Sequence, residues 1–378
     1  MKIFYWAPWI GNIGTIKAVL NSAYILKHYS KNEIKTKIIN SVGEWEKYKD
    51  NTEVINLRKS NIYKYLPQGG FLFSRITYII IFLSSFWSLK KLLKKEKPDF
   101  LIVQLITSLP LFLKMLFNLD TKLILRISGY PKMNFLRRTF WKIVSKKIYK
   151  VTFPSYDLYK EFITLNIFEV NKMSVLYDPI ISYREVNKLK NEDRIAKDPK
   201  NNEYLLCIGR LTKQKNFSFV IKNFKILKKK FKNLKLLIVG EGELKQKIED
   251  QIEKLDLKKD VILKGFQPNV YKFFKNAKVF ILSSLWEEIG FVIVEAAACN
   301  VNIISSNCKN GPKEFLEDGR GGYLFENNNS EDFLKKFEEF MNEDETIKLK
   351  KKVLTKIATK KFTFLYHFNS FTKILSNQ

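Results

Sequence analysis

One feature constrains this chain more than any other: an alternation of strand and helix that runs, stops and restarts. Short apolar runs, KIFYWAP, TKIIN, EVINL, DFLIVQL, KLILRIS and KVTFPS, are separated by longer helix-like stretches, the first from about Thr15 to Ser30. Alternation at this spacing predicts an α/β domain with a mainly parallel sheet. After SVLYDPII the pattern breaks into the polar, charged stretch from Ser182 to Glu203, which reads as a linker. It then resumes with YLLCIGR, LKLLIVGEGE, DVILKGF, AKVFILSS and VNIISS. The expectation is two Rossmann-like α/β domains, 1–182 and 203–360, joined by a linker at 183–202. The amphipathic FTFLYHFNSFTKIL, in 361–378, is then a helix that packs back across the junction. A length of 378 residues exceeds one ordinary core, and a hydrophobic content of 46% is ample for two.

Charge and cysteines narrow the class. The net charge of +29 calls for an anionic partner or tolerated self-repulsion, although a lysine-rich background composition would also produce it. Cys207, Cys299 and Cys308 form no disulfide framework and no metal-ligand spacing, so they read as reduced core thiols of a cytosolic protein. The start, MKIFYWAPWIGNIG, is a first strand rather than a signal peptide, and the chain is expected to stay in the cytoplasm. From Phe71 to Lys97 an apolar helix interrupted by Arg75 ends in Lys90, Lys91, Lys94, Lys95 and Lys97. It falls short of the ~20 uninterrupted apolar residues that a spanning helix needs. Two readings stay open: a helix lying on an anionic membrane surface, peripheral to its inner face, or one buried in the sheet domain with a solvated basic end.

Three stretches carry chemistry. In CIGRLTKQKNF a buried strand ends at Gly209-Arg210, and a short loop bears Lys213 and Lys215 before a helix begins near Asn216. Ligands of open α/β sheets bind beyond the carboxyl ends of strands, and an arginine fork with a lysine point charge suits a diphosphate. In WIGNIG, Gly11 and Gly14 precede a helix and would let the backbone approach a phosphate; this is neither a dinucleotide fingerprint nor a Walker motif. In LWEEIGFVIVEAAACN, every residue from Ile289 to Cys299 is apolar or glycine except Glu295. Gly290 is expected to open a buried helix that holds Glu295 about a turn and a half inside, where a carboxylate needs donors. Those donors are either the vicinal hydroxyls of a ribose or an internal Arg or Lys. Glu287 could reach other hydroxyls, and N–H groups from Gly290 to Val292 could take a phosphate oxygen.

Taken together, Glu287 and Glu295 spaced as E-x7-E, GR-x4-K from Gly209 to Lys215, and VGEGE at Val239 resemble the retaining glycosyltransferases of the GT-B fold, family 4. LPQGGFLFSR, ITSLPL and LRISGYPKMNFLRRTFWK are similar to a subgroup that assembles bacterial surface polysaccharides: capsule, O-antigen or exopolysaccharide. The resemblance implies two Rossmann-like domains facing a central cleft, the first on the acceptor side and the second binding a nucleotide-diphosphate sugar. It implies that Arg210 and Lys215 clamp the donor's diphosphate, that Glu295 binds the ribose, and that Glu287 approaches the transferred sugar. It further implies phosphate contacts from the backbone of Gly290, Phe291 and Val292, a loop from Gly11 to Gly14 closing over the donor, and Gly265 and Phe266 flanking the base. Glu287, Arg210 and Lys215 are the residues expected to take part in transfer. The acceptor is a glycan or lipid-linked saccharide.

The chain departs from the family in two places. Glu288-Ile289-Gly290-Phe291 stands where members often have Glu-Gly-Phe, and Gln104 or Thr107 stands where many carry a histidine. His28 and His367 lie in helix-like stretches, so a histidine acid is not expected. No Asp-x-Asp occurs, so neither a metal nor another cofactor is expected, and Arg210, Lys215 and a helix N-terminus would meet the leaving diphosphate's charge. The competing readings are a GT-B-fold UDP-sugar epimerase and a basic nucleic-acid-binding protein. Against the second, the lysines are scattered through both halves, no nucleic-acid module is present, and no nucleic-acid partner is expected.

Overall fold

The computed structural model describes residues 1–9, 14–50, 52–67, 71–129, 131, 133–192 and 204–376. These form two compact units: Met1–Pro179 with Phe364–Gln378, and Ile180–Thr363.

Seven parallel strands make the sheet of the first unit: β1 (Lys2–Trp6), β2 (Lys35–Asn40), β3 (Val54–Asn56), β4 (Phe100–Val103), β5 (Lys122–Arg126), β6 (Lys150–Phe153) and β7 (Met173–Val175). Their order is β3-β2-β1-β4-β5-β6-β7. Along each strand alternate residues face opposite sides, and both sides are covered. Ile3, Tyr5, Ile102 and Ile124 pack with Ile16, Val19, Ala23 and Leu26 of α1 (Gly14–Tyr29). Phe4, Trp6, Leu101, Val103, Leu123 and Leu125 face the other core. That core is covered by α2 (Phe71–Glu96), α3 (Ser108–Leu116), α4 (Phe135–Val144) and α5 (Tyr156–Leu165). Side-chain caps set where two of these begin. Asn134 accepts from the Arg137 N–H at the start of α4, and Ser155 from the Leu158 N–H at the start of α5.

In the second unit the helices are α6 (Tyr183–Lys190), α7 (Phe217–Lys230), α8 (Lys245–Lys254), α9 (Tyr271–Phe274), α10 (Phe291–Ala298), α11 (Pro312–Phe315), α12 (Ser330–Asn342) and α13 (Glu345–Ala358). Its strands are β8 (Tyr204–Ile208), β9 (Lys235–Val239), β10 (Val261–Leu263), β11 (Ala277–Leu282), β12 (Ile303–Ser306) and β13 (Tyr323–Phe325), all parallel in the order β10-β9-β8-β11-β12-β13. The stretch expected as a linker opens with α6. Val186 is buried there, and the Lys190 ammonium donates to the Cys299 carbonyl at 2.9 Å, so residues 183–190 fold with this unit. Residues 193–203 lie outside the described residues.

The last helix, α14 (Phe364–Ser376), belongs to the first unit and packs beside α1 with Phe371, Ile374 and Leu375 buried. Its His367 is fully enclosed. Nδ1 lies 2.8 Å from the Tyr177 carbonyl, Nε2 lies 2.9 Å from Ser22 Oγ, and Ser22 Oγ lies 2.9 Å from the Tyr5 hydroxyl. A carbonyl only accepts, so Nδ1 carries the ring proton, Ser22 donates to Nε2, and Tyr5 donates to Ser22. Burial pushes the His367 pKa down to about 3. Beside it, Arg126 and Asp178 form a buried ion pair at 2.5 Å.

Candidate active site

In both sheets the strand order reverses direction at one point, between β1 and β4 and again between β8 and β11. Such switch points open a crevice at the carboxyl ends of the strands. In the second unit the crevice is bounded by the loop after β8, residues 209–216, and the loop after β11, residues 283–290. Hydrogen bonds lace the two loops together. Leu285 N–H donates to the Gln214 carbonyl at 2.8 Å, Gln214 Nε2 to the Trp286 carbonyl at 2.9 Å, and Ser283 Oγ to the Lys215 carbonyl at 2.7 Å.

This lacing brings Lys215 and Glu287 into direct ion-pair contact. Their side chains are 12% and 8% exposed. The hydroxyl of Ser284 also donates to the Glu287 carboxylate, at 2.7 Å. A buried pair is tolerable only when such extra hydrogen bonds satisfy it. Sequence reasoning assigned the two residues to separate ligand groups; the structure couples them. Arg210 follows Gly209 directly and is exposed at the same edge.

Beside the pair the sheet ends in main chain. Gly209 N–H donates to the Val239 carbonyl at 3.0 Å and Gly240 N–H to the Gly265 carbonyl at 2.8 Å, extending the ladder one step past β8, β9 and β10. The approach requires glycine at 240, where a Cβ would lie 1.9 Å from the Gly209 carbonyl oxygen. Phe266, next along, is exposed.

Gly290 caps α10 at φ +81°, a backbone conformation that side chains disfavour, and Phe291 and Val292 form the first turn. N–H groups at a first turn have no intrahelical partner, which suits an anion. Within α10, Glu295 is buried as expected, and a neighbouring side chain of the same unit reaches it. The Tyr271 hydroxyl of α9 donates to its Oε1 at 3.2 Å. Burial, and then the Glu295 charge, push the Tyr271 pKa well above the usual phenol range.

The structure therefore groups Gly209, Arg210, Lys215, Glu287 and Gly290 at one strand-end crevice. Gly265 sits on its glycine edge, and Glu295 lies inside the helix that follows. Gly14 opens α1 in the first unit, and Gly11 lies outside the described residues. Gln104 is buried against Tyr5, Arg126 and His367, around a void of about 10 Å³. Ser284 and Tyr271 were missed. A serine after a buried strand is a faint signal, and nothing in the sequence marks a tyrosine 24 residues before its carboxylate. All three cysteines are buried and unpaired, and burial raises the Cys308 and Cys299 thiols to about 11 and about 12.

The chain is similar to known proteins in sequence and in fold. Residues 189–360 match the profile of glycosyl transferases group 1. An uncharacterised glycosyltransferase of Methanocaldococcus jannaschii is 31% identical over 257 residues, an alignment covering 61% of this chain and 61% of the relative. The N-acetylgalactosamine-N,N'-diacetylbacillosaminyl-diphospho-undecaprenol 4-alpha-N-acetylgalactosaminyltransferase of Campylobacter jejuni is 27% identical, over 66% of this chain and 67% of its own length. Among solved structures, Anabaena HepE in complex with UDP and glucose superposes with a TM-score of 0.72 at 16% identity, covering all of both chains. Residues 189–360 thus carry the match to glycosyl transferases group 1, and the chain as a whole has the GT-B fold.

Proposed function

We propose that this protein transfers a sugar from a nucleotide-diphosphate sugar to a hydroxyl of a glycan or lipid-linked saccharide, with retained anomeric configuration, in the assembly of a bacterial surface polysaccharide. The observation that carries this reading is the Lys215–Glu287 pair set at the switch point beside the exposed Arg210. An ammonium has three donors, so Lys215 can keep Glu287 and still offer donors to a diphosphate. Two cations and the first turn of α10 then stabilise the charge that grows on the leaving diphosphate. Support for the donor class comes from the UDP and glucose held by the Anabaena protein, and for the acceptor class from the diphospho-undecaprenol in the Campylobacter relative's name.

In the proposed step the bond between the sugar's C1 and the diphosphate oxygen breaks, and its electron pair stays with the diphosphate. The acceptor hydroxyl oxygen bonds to C1 on the same face, and its proton passes to the departing phosphate oxygen. Glu287 holds Lys215 and faces the donor sugar's hydroxyls, while Glu295 takes the ribose diol. Metal independence rests on the missing Asp-x-Asp run, and transfer undiminished by a chelator checks it.

A nucleotide-sugar panel tests the whole reading. The true donor raises the melting temperature, because a ligand that binds only the folded state stabilises it, and labelled sugar moves to the acceptor. Arg210→Ala is expected to lower turnover about 100-fold. A panel in which no nucleotide-sugar shifts melting, or full activity in Arg210→Ala, overturns the proposal.

A further inference from the structure

Helix α2 buries one stripe and leaves a second outside. Thr77, Ile81, Ser85, Leu89 and Leu93, four apart, are buried, and the last of these stripe residues join the core under the sheet. On the opposite side Ile76, Ile79, Leu83 and Trp87 recur at helical spacing and are exposed, Leu83 by 68% and Trp87 by 67%. The two readings left open for this segment each describe one face: the inner stripe is core, and the outer one is not. A helix apolar on every side belongs against protein or lipid all round. By length and composition α2 is long and apolar enough to cross a membrane, but its inner stripe ties it to the core under the sheet and leaves the outer face for a surface outside the protein.

Helix α4 adds to this face. Phe135 and Leu136 are 80% and 75% exposed at its first turn, and Ile143 is exposed near its end. The charge around the apolar residues is of one sign. α2 ends in Lys90, Lys91, Lys94 and Lys95 against the single acid Glu96, and α4 carries Arg137, Arg138 and Lys142 with no acid. Helix α3 packs against both α2 and α4, and burial, then the charge of Arg75 on α2, lower the Arg137 pKa. A second copy of this face would meet it with the same charge and be repelled; a sheet of phosphate headgroups would be attracted.

We propose that the outer faces of α2 and α4 dock on an anionic phospholipid bilayer, with the apolar residues entering the acyl boundary and the lysines and arginines meeting headgroup phosphates. This does not depend on which sugar, if any, the protein transfers.

Sedimentation of the full chain with vesicles tests it. Binding is expected to vesicles of mixed phosphatidylglycerol and phosphatidylcholine, not to phosphatidylcholine alone, and high salt should release the protein. Each basic residue removed, as in Lys91→Gln or Lys94→Gln, should weaken binding about fivefold. Leu83→Glu/Trp87→Glu and, separately, Phe135→Glu/Leu136→Glu should each weaken it at least about tenfold, with unchanged thermal melting because these side chains are exposed. The proposal is overturned by equal binding to both vesicle types or by no binding at low salt. Undiminished binding of both apolar variants, or a dimer in light scattering that Leu83→Glu/Trp87→Glu abolishes, would overturn it as well.

Discussion

Lys215 and Glu287 form an asymmetric partnership in energy. Keeping the pair adds little to stability, whereas removing one member strands the other charge in a buried place, at about 3–5 kcal/mol. Lys215→Ala is therefore expected to lose both turnover and stability in denaturant unfolding. Arg210→Ala, at an exposed position, should lose turnover alone. If the two variants unfold at the same denaturant concentration, the pair is not the buried unit described. Tyr271 makes a similar case at Glu295. Tyr271→Phe removes the donor 3.2 Å from that carboxylate and should lower stability by about 1–3 kcal/mol. If Glu295 holds a ribose, the same variant should weaken nucleotide binding but leave affinity for a nucleotide lacking the 2′ and 3′ hydroxyls unchanged. Comparing the two ligands by calorimetry checks this. Glu287, Glu295, Arg210 and Lys215 were legible because each breaks the local pattern: an acid in an apolar run, or cations where a buried strand ends. Their mutual geometry was not legible, because strand order decides it. β8 and β11 become neighbours only when the sheet assembles, across about seventy residues of chain.

Among elements, long amphipathic helices and buried strands were readable from period alone. β7 and β13 were not read, although β3 and β10, equally three residues long, were. α6 was hidden by its composition, which is that of a linker, and one buried valine anchors it. The opening of α10 was readable in Gly290, and Gly290→Ala should cost about 1–3 kcal/mol through its φ of +81°, measurable as a lowered unfolding midpoint. The docking of α14 has a pH signature. His367 has a folded pKa of about 3, below its ordinary 6.5, so protons bind the unfolded chain first. Its contribution is intact above pH 6.5 and declines as pH falls toward 3, by at most about 5 kcal/mol. Denaturant unfolding of wild type and His367→Gln at pH 7 and pH 4.5 should show the wild type losing more stability than the variant over that interval. Equal losses would remove His367 from the account.

For the molecule as a whole, a net charge of +29 is a standing self-repulsion. The melting temperature should therefore rise when salt increases from a few millimolar to physiological strength, as the Debye length falls to about 8 Å. A flat profile would mean that local ion pairs already absorb the charge. The lysine cluster that ends α2 was readable in the sequence, but the exposed apolar faces of α2 and α4 beside it were not, because exposure is a property of packing.

The main-chain edge at Gly209, Gly240 and Gly265 bears on how such a protein can diversify. A surface made of backbone offers no side chain to exchange, and a Cβ at 240 would collide with its neighbour. Descendants of this chain could then change ligand preference only around the rim, at positions such as Phe266 and Trp286, while the edge itself stays unchanged. A saturation mutagenesis library selected for activity would record that as tolerance at the rim beside near-total intolerance at Gly240.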